Sequence, residues 1–107
     1  MANPIESTGN IETICLTSTP KVGDTVKLIF RALEDSDPPY TVRVSSPGGK
    51  VVLERVLREL PDGKPQSAPP INFNALLAGE YKVDIWQLYG QARGAATLQV
   101  ADAETPD

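Results

Sequence analysis

LLAGEY at residues 76–81 runs directly into KVDIWQL at 82–88, and the reading of this join decides the fold. From Tyr81 onward apolar and polar residues alternate. Tyr81, Val83 and Ile85 fall on one face, and Lys82, Asp84 and Trp86 on the other. A period of two marks a half-buried strand. Gly79 stands just before it, where a residue free to adopt positive φ lets the chain turn sharply into the strand. Leu77 offers an apolar plug for the end of a core.

Outward from this join, short apolar segments alternate with breakers, as expected of an all-β sandwich or barrel. IETICLTS at 11–18 reads as a first strand, and TPKVGD at 19–24 as a turn. TVKLIFRA at 25–32 alternates, with Val26, Leu28 and Phe30 inward and Lys27, Ile29 and Arg31 outward. LEDSDPP at 33–39 is a polar loop, and YTVRVSS at 40–46 alternates again. PGGK at 47–50 is a tight turn, because glycine supplies the positive φ that hairpin turns need. VVLERVLREL at 51–60 fits a helical stripe through Val52, Val56 and Leu60. The preceding turn and the β-branched Val51-Val52 favour a hairpin strand at roughly 50–58, with a short helix as the alternative. PDGKPQSAPP at 61–70 is a long loop, since proline removes a donor and fixes φ. INFN at 71–74, GEYKVDIWQL at 79–88 and AATLQVA at 95–101 complete about seven strands, the last two joined by LYGQARG at 88–94.

Leu77, Gly79 and Tyr81 together suggest a tyrosine corner, a Tyr near a strand start whose hydroxyl bonds to backbone a few residues upstream. On these residues, region 11–101 resembles immunoglobulin-like and fibronectin type III-like domains. The resemblance implies an all-β, Ig-like sandwich of about seven antiparallel strands in two sheets. A flexible segment at 1–10 would precede it and an acidic tail at 102–107 would follow. Ala78 stands where the corner usually has proline, and no disulfide can join the sheets because Cys15 is the only cysteine. Such folds host many functions, so the resemblance transfers no activity.

Composition narrows the function. The formal charge is -4, and Asp102, Glu104 and Asp107 lie in the last six residues, so the remainder is nearly neutral. No Lys or Arg run builds the cationic stripe that grips phosphates, so neither nucleic acid nor an anionic membrane surface is an expected partner. Cys15, between Ile14 and Leu16, reads as a buried and inert thiol. MANPIESTGN at the start has neither the basic nor the apolar region of a secretory signal. A complete chain of this kind would be made and folded in a reducing cytosol, or would end in a virion if it decorates one.

No histidine is present, which removes the commonest general base and metal ligand near neutral pH. The chain is therefore read as a non-enzyme with no cofactor and no metal. Glu34, Asp35 and Asp37 form the best candidate calcium cluster, and three acids in four residues read instead as solvated loop charge. The remaining candidates are contact residues. Trp86 alternates out of phase with Tyr81, Val83 and Ile85, so it is either an exposed anchor or covered by loop 61–70 or a chain end. Trp86, Leu88 and Ile29, with Tyr89 nearby, are expected to form an apolar patch on an outer face, rimmed by Lys27, Arg31, Lys82 and Asp84. These residues point to a non-catalytic structural or protein-binding module. It would be a small accessory subunit of a larger assembly, for example a phage particle decoration or cement-like protein. The alternative is a carbohydrate-binding or adhesion domain from a longer extracellular protein, using an aromatic platform at Trp86 or Tyr89.

Overall fold

The structure, a computed structural model, describes residues 3–4, 7–17, 19–33, 37–61 and 69–102. Among them the regular elements are all strands: β1 (Asn3–Pro4), β2 (Ser7–Gly9), β3 (Ile11–Cys15), β4 (Thr25–Ala32), β5 (Tyr40–Ser45), β6 (Val51–Leu57), β7 (Ile71–Asn74), β8 (Gly79–Gln87) and β9 (Arg93–Val100). They form a four-stranded sheet in the order β1-β3-β4-β7 and a five-stranded sheet in the order β2-β9-β8-β5-β6. All paired strands within the sheets are antiparallel. Side chains of both sheets meet in one apolar core, a sandwich-like arrangement.

Alternation sets the core, as period-two side chains of a strand must face opposite sides. Val26, Leu28 and Phe30 from β4 meet Tyr81, Val83 and Ile85 from β8, with Val42 and Val44 from β5. The ambiguous segment forms strand β6, because the PGGK turn returns the chain along β5. Ser46 N donates to Lys50 O at 2.7 Å across that turn, and Tyr40 then pairs with Leu57. β6 is an edge strand of its sheet, with no second strand paired to it among the described residues. Arg55 opposes the inward-facing Val42, and the register shifts between Val44 and Ser45. A charge on the inward side and a bulge are both devices that discourage strand addition at an edge.

β3 to β9 correspond to the segments read as strands, whereas β1 and β2 lie in the segment expected to be flexible. Pairing therefore starts before residue 11. β1 adds to β3 and β2 adds to β9, so the chain crosses between sheets at Asn10. That crossing brings the Ile11 carbonyl against Gly94, where any Cβ would collide with the Ile11 oxygen. A second crossing, from β7 to β8, answers the question posed by LLAGEY. Gly79 has φ of 127°, and a Cβ there would lie 2.9 Å from Pro47 Cγ. Tyr81 then enters the core with its ring 5.5 Å from that of Phe73 in the opposite sheet. Its hydroxyl donates to Leu77 O at 2.8 Å and accepts from Leu77 N at 3.1 Å. Leu77 does not plug the core as expected. It is 55% exposed, and the fully buried residue before the crossing is Ala75. Leu77 contributes its backbone alone, because holding both its N–H and C=O on the Tyr81 hydroxyl turns its side chain outward.

Candidate functional site

Cross-strand partners share a face, so the register of β9, β8, β5 and β6 fixes which side chains meet on the outer side of the five-stranded sheet. Trp86 pairs with Arg93 on one side and Thr41 on the other, and Thr41 with Val56. One step along, Asp84 pairs with Ala95 and Arg43, and Arg43 with Glu54. The result is a row Arg93–Trp86–Thr41–Val56 lying beside a row Ala95–Asp84–Arg43–Glu54.

Trp86 is half-buried. The Arg43 guanidinium carbon lies 5.2 Å from the centre of its ring, within the range of a cation–π contact. Arg43 Nε also donates to Glu54 Oε2 at 2.6 Å. Arg43 is thus held between an indole and a carboxylate. Its cross-strand neighbour Asp84, and Arg93 across from Trp86, have no side-chain partner among the described residues. Around them lies a recess of about 540 Å³. Its lining includes Trp86, Arg43, Asp84, Arg93, Thr8 and Gln91, with the short side chain of Ala95 on its β9 side. Among the described residues the lining has no cysteine, lysine or histidine.

Loops at one end of the sandwich frame the recess. Gln87 Nε2 donates to Asp37 O at 2.8 Å, and Gln87 Oε1 accepts from Ala92 N at 3.3 Å. Leu88 N donates to Pro39 O at 3.0 Å. One glutamine therefore ties the β4–β5 loop to the β8–β9 hairpin and holds the hairpin over the recess. Beyond it Leu88 is 40% and Tyr89 86% exposed, so both present apolar surface to solvent.

The expected patch does not assemble as a unit. Trp86, Leu88 and Tyr89 are together at one end of the five-stranded sheet. Ile29 is in the other sheet, 7% exposed and paired with the equally buried Ile14. Lys27 and Arg31 go with it, so the expected rim is divided as well: only Lys82 and Asp84 share the face of Trp86. Alternation places Ile29 outward from the core, and it cannot say which of two sheets that outward side belongs to. Arg43 and Arg93 were missed in sequence. Their signal was their inverse phase with Val42 and Ala96, but it becomes a site only once β5 and β9 flank β8.

Of the acidic candidates Glu34, Asp35 and Asp37, only Asp37 falls among the described residues. It is exposed, and no group of three His, Cys, Asp or Glu suited to a metal ion occurs among the described residues. Asp62 and the tail from residue 103 also lie outside them. Ser18 and Lys21 stand at a Ser-x-x-Lys spacing, and Ser18 lies outside the described residues. Cys15 is buried in the core and does not line the recess, with its thiol donating to Thr17 O at 3.2 Å. Burial pushes that thiol above its ordinary range, so it stays neutral.

Comparison with known proteins gives no match to a family model, a curated protein or a solved structure.

Proposed function

We propose that this chain is a non-catalytic binding module with an immunoglobulin-like or fibronectin type III-like sandwich, acting by contact as an accessory subunit of a larger assembly. The strand order supports the fold reading. β3-β4-β7 opposite β9-β8-β5 has the pattern of the A-B-E and G-F-C strands of such domains, with β6 extending the second sheet. Tyr81, at the start of the strand in the F place, carries the bonds of a tyrosine corner.

One observation carries the functional reading: Trp86, Arg43 and Arg93 are gathered beside exposed Leu88 and Tyr89 on a single face. Trp, Tyr and Arg are the residue types that dominate interface energy, especially where a ring is already partly sheltered. A decoration subunit on a virus particle is one form such a module could take, made in the cytoplasm and then bound to its particle. The partner in this reading is protein or a protein assembly.

The test is Trp86→Ala, with folding and association read separately. The variant should keep a cooperative thermal transition and lose co-purification with the assembly that retains the unaltered chain. A folded variant that still co-purifies in full would remove this face from the function. The exposed leucines at the opposite end, Leu76 and Leu77, would then be the next surface to probe.

A further inference from the structure

Contact through this face leaves open the chemistry of what enters the recess, and the unpartnered groups around it constrain that chemistry. Glu54 already neutralises Arg43 at 2.6 Å. What remains is one carboxylate, Asp84, and one guanidinium, Arg93, each without a side-chain partner among the described residues. A simple anion in the recess would meet Arg93 favourably and be repelled by Asp84. A simple cation would meet the opposite conflict beside Arg93 and Arg43. An apolar side chain would desolvate both groups with no compensation.

A hydroxyl resolves this conflict, since it is both donor and acceptor. Asp84 accepts from it and Arg93 donates to it, with no net charge required of the ligand. Thr8 and the Gln91 amide add a hydroxyl and a carboxamide to the same lining. Trp86 supplies apolar surface to the lining, held in place by Arg43 over its ring. A rigid body that carries several hydroxyls and an apolar side matches this lining. The recess, about 540 Å³, falls within the usual range of small-ligand sites. Ala95, paired with Asp84 on this face, keeps the β9 side short beside Arg93. The β8–β9 hairpin is already tied down through Gln87, so binding has little loop ordering to oppose it.

We infer that the recess beside Trp86 binds a neutral saccharide unit, held between Asp84 and Arg93 against the indole. The inference rests on the contact reading above and names what that contact meets: a surface that carries glycan.

Trp86 is the only tryptophan, so selectively excited tryptophan emission reports on this site alone. The full chain would be titrated with four neutral hexasaccharides: α-1,4-glucose, β-1,4-glucose, β-1,4-xylose and β-1,4-N-acetylglucosamine. Oligogalacturonate and glycine serve as the anionic and zwitterionic comparisons. The expected result is a saturable emission change with at least one neutral hexasaccharide, and none with the comparisons. Asp84→Asn and Arg93→Ala should each weaken that binding about tenfold or more, as loss of a hydrogen bond to a charged group does. Val56→Ala, on the same face outside the recess, should leave it unchanged. Silence across all four hexasaccharides overturns the inference, as does binding that Asp84→Asn and Arg93→Ala leave intact. Response to oligogalacturonate or glycine alone overturns it too, in favour of an acidic or amino-acid ligand. The contact reading fails separately: if Trp86→Ala still loses its assembly while every sugar is silent, the glycan is wrong and the face is right.

Discussion

On the outer side of the four-stranded sheet, Ile14 and Ile29 meet across the β3–β4 pair and both are 7% exposed. On the outer side of the five-stranded sheet, Trp86 stays half-open beneath Arg43, and Val56 in its row is 61% exposed. The two sides have the same origin. Each is the out-of-phase set of alternating strands whose other set fills the core. They differ in exposure: the isoleucine pair is closed to solvent, whereas the five-stranded sheet carries an open recess. Alternation thus identifies a face and leaves its cover undetermined.

The largest expected effect sets one face directly against the other. Ile29→Ala should cost about 2–4 kcal/mol, as truncation of a buried aliphatic does. Val56→Ala, equally out of phase, should stay within about 0.5 kcal/mol, as surface substitutions do. Urea melts of the two variants decide it, and equal midpoints would erase the distinction between the faces.

Gly94→Ala tests the point where the chain passes from the open sheet to the closed one. The added methyl meets the Ile11 carbonyl, part of the backbone and unable to rotate away. A loss of about 2 kcal/mol is expected, within the cost of overpacking. A thermal midpoint matching the unaltered chain would mean that β3 is not held against β9.

The crossing at the other end depends on a hydrogen-bonded pair rather than on a close approach, so its effect should be smaller. Tyr81→Phe keeps the ring against Phe73 and leaves Leu77 N and O without the hydroxyl. The expected loss is about 1 kcal/mol. An unchanged denaturation midpoint with an unchanged slope would show that the corner braces nothing.

Smallest of all is the charge row of the open face. Arg43 and Glu54 are 44% and 47% exposed as side chains, and an exposed pair contributes about 0.2–1 kcal/mol. Glu54→Ala should therefore shift stability by less than about 1 kcal/mol, and the shift should shrink further in high salt. A larger loss, insensitive to salt, would mean that Arg43 supports the sheet rather than simply resting on Trp86.

Local chemistry was enough to place the strands. The period-two pattern, the PGGK turn and the proline-rich 61–70 stretch are effects within a few residues, and they located β4 to β9 and made 51–57 a strand. The Tyr81 hydroxyl and its Leu77 backbone partners are also a local pair, four residues apart, and so were legible. The N-terminal strands were not. Ser7–Gly9 is polar and carries no alternation of its own, and it becomes a strand because the edge of β9 offers it a ladder.

The candidate site divides along the same line. Trp86 as an out-of-phase aromatic followed from the sequence, because face is a property of one strand. Its company did not. Arg43 is 43 residues from Trp86 in the chain, and the two meet because β5 and β8 pair in one register, with Thr41 opposite Trp86. A one-residue slip would send Arg43 to the core side. Ile29, expected beside Trp86, lies on the far side of the molecule for the same reason. Sequence alone determined which residues could face outward, through the fixed geometry of the strand. Tertiary structure decided which outward faces share a sheet and which are covered, because strand pairing and loop cover act between segments far apart in the chain.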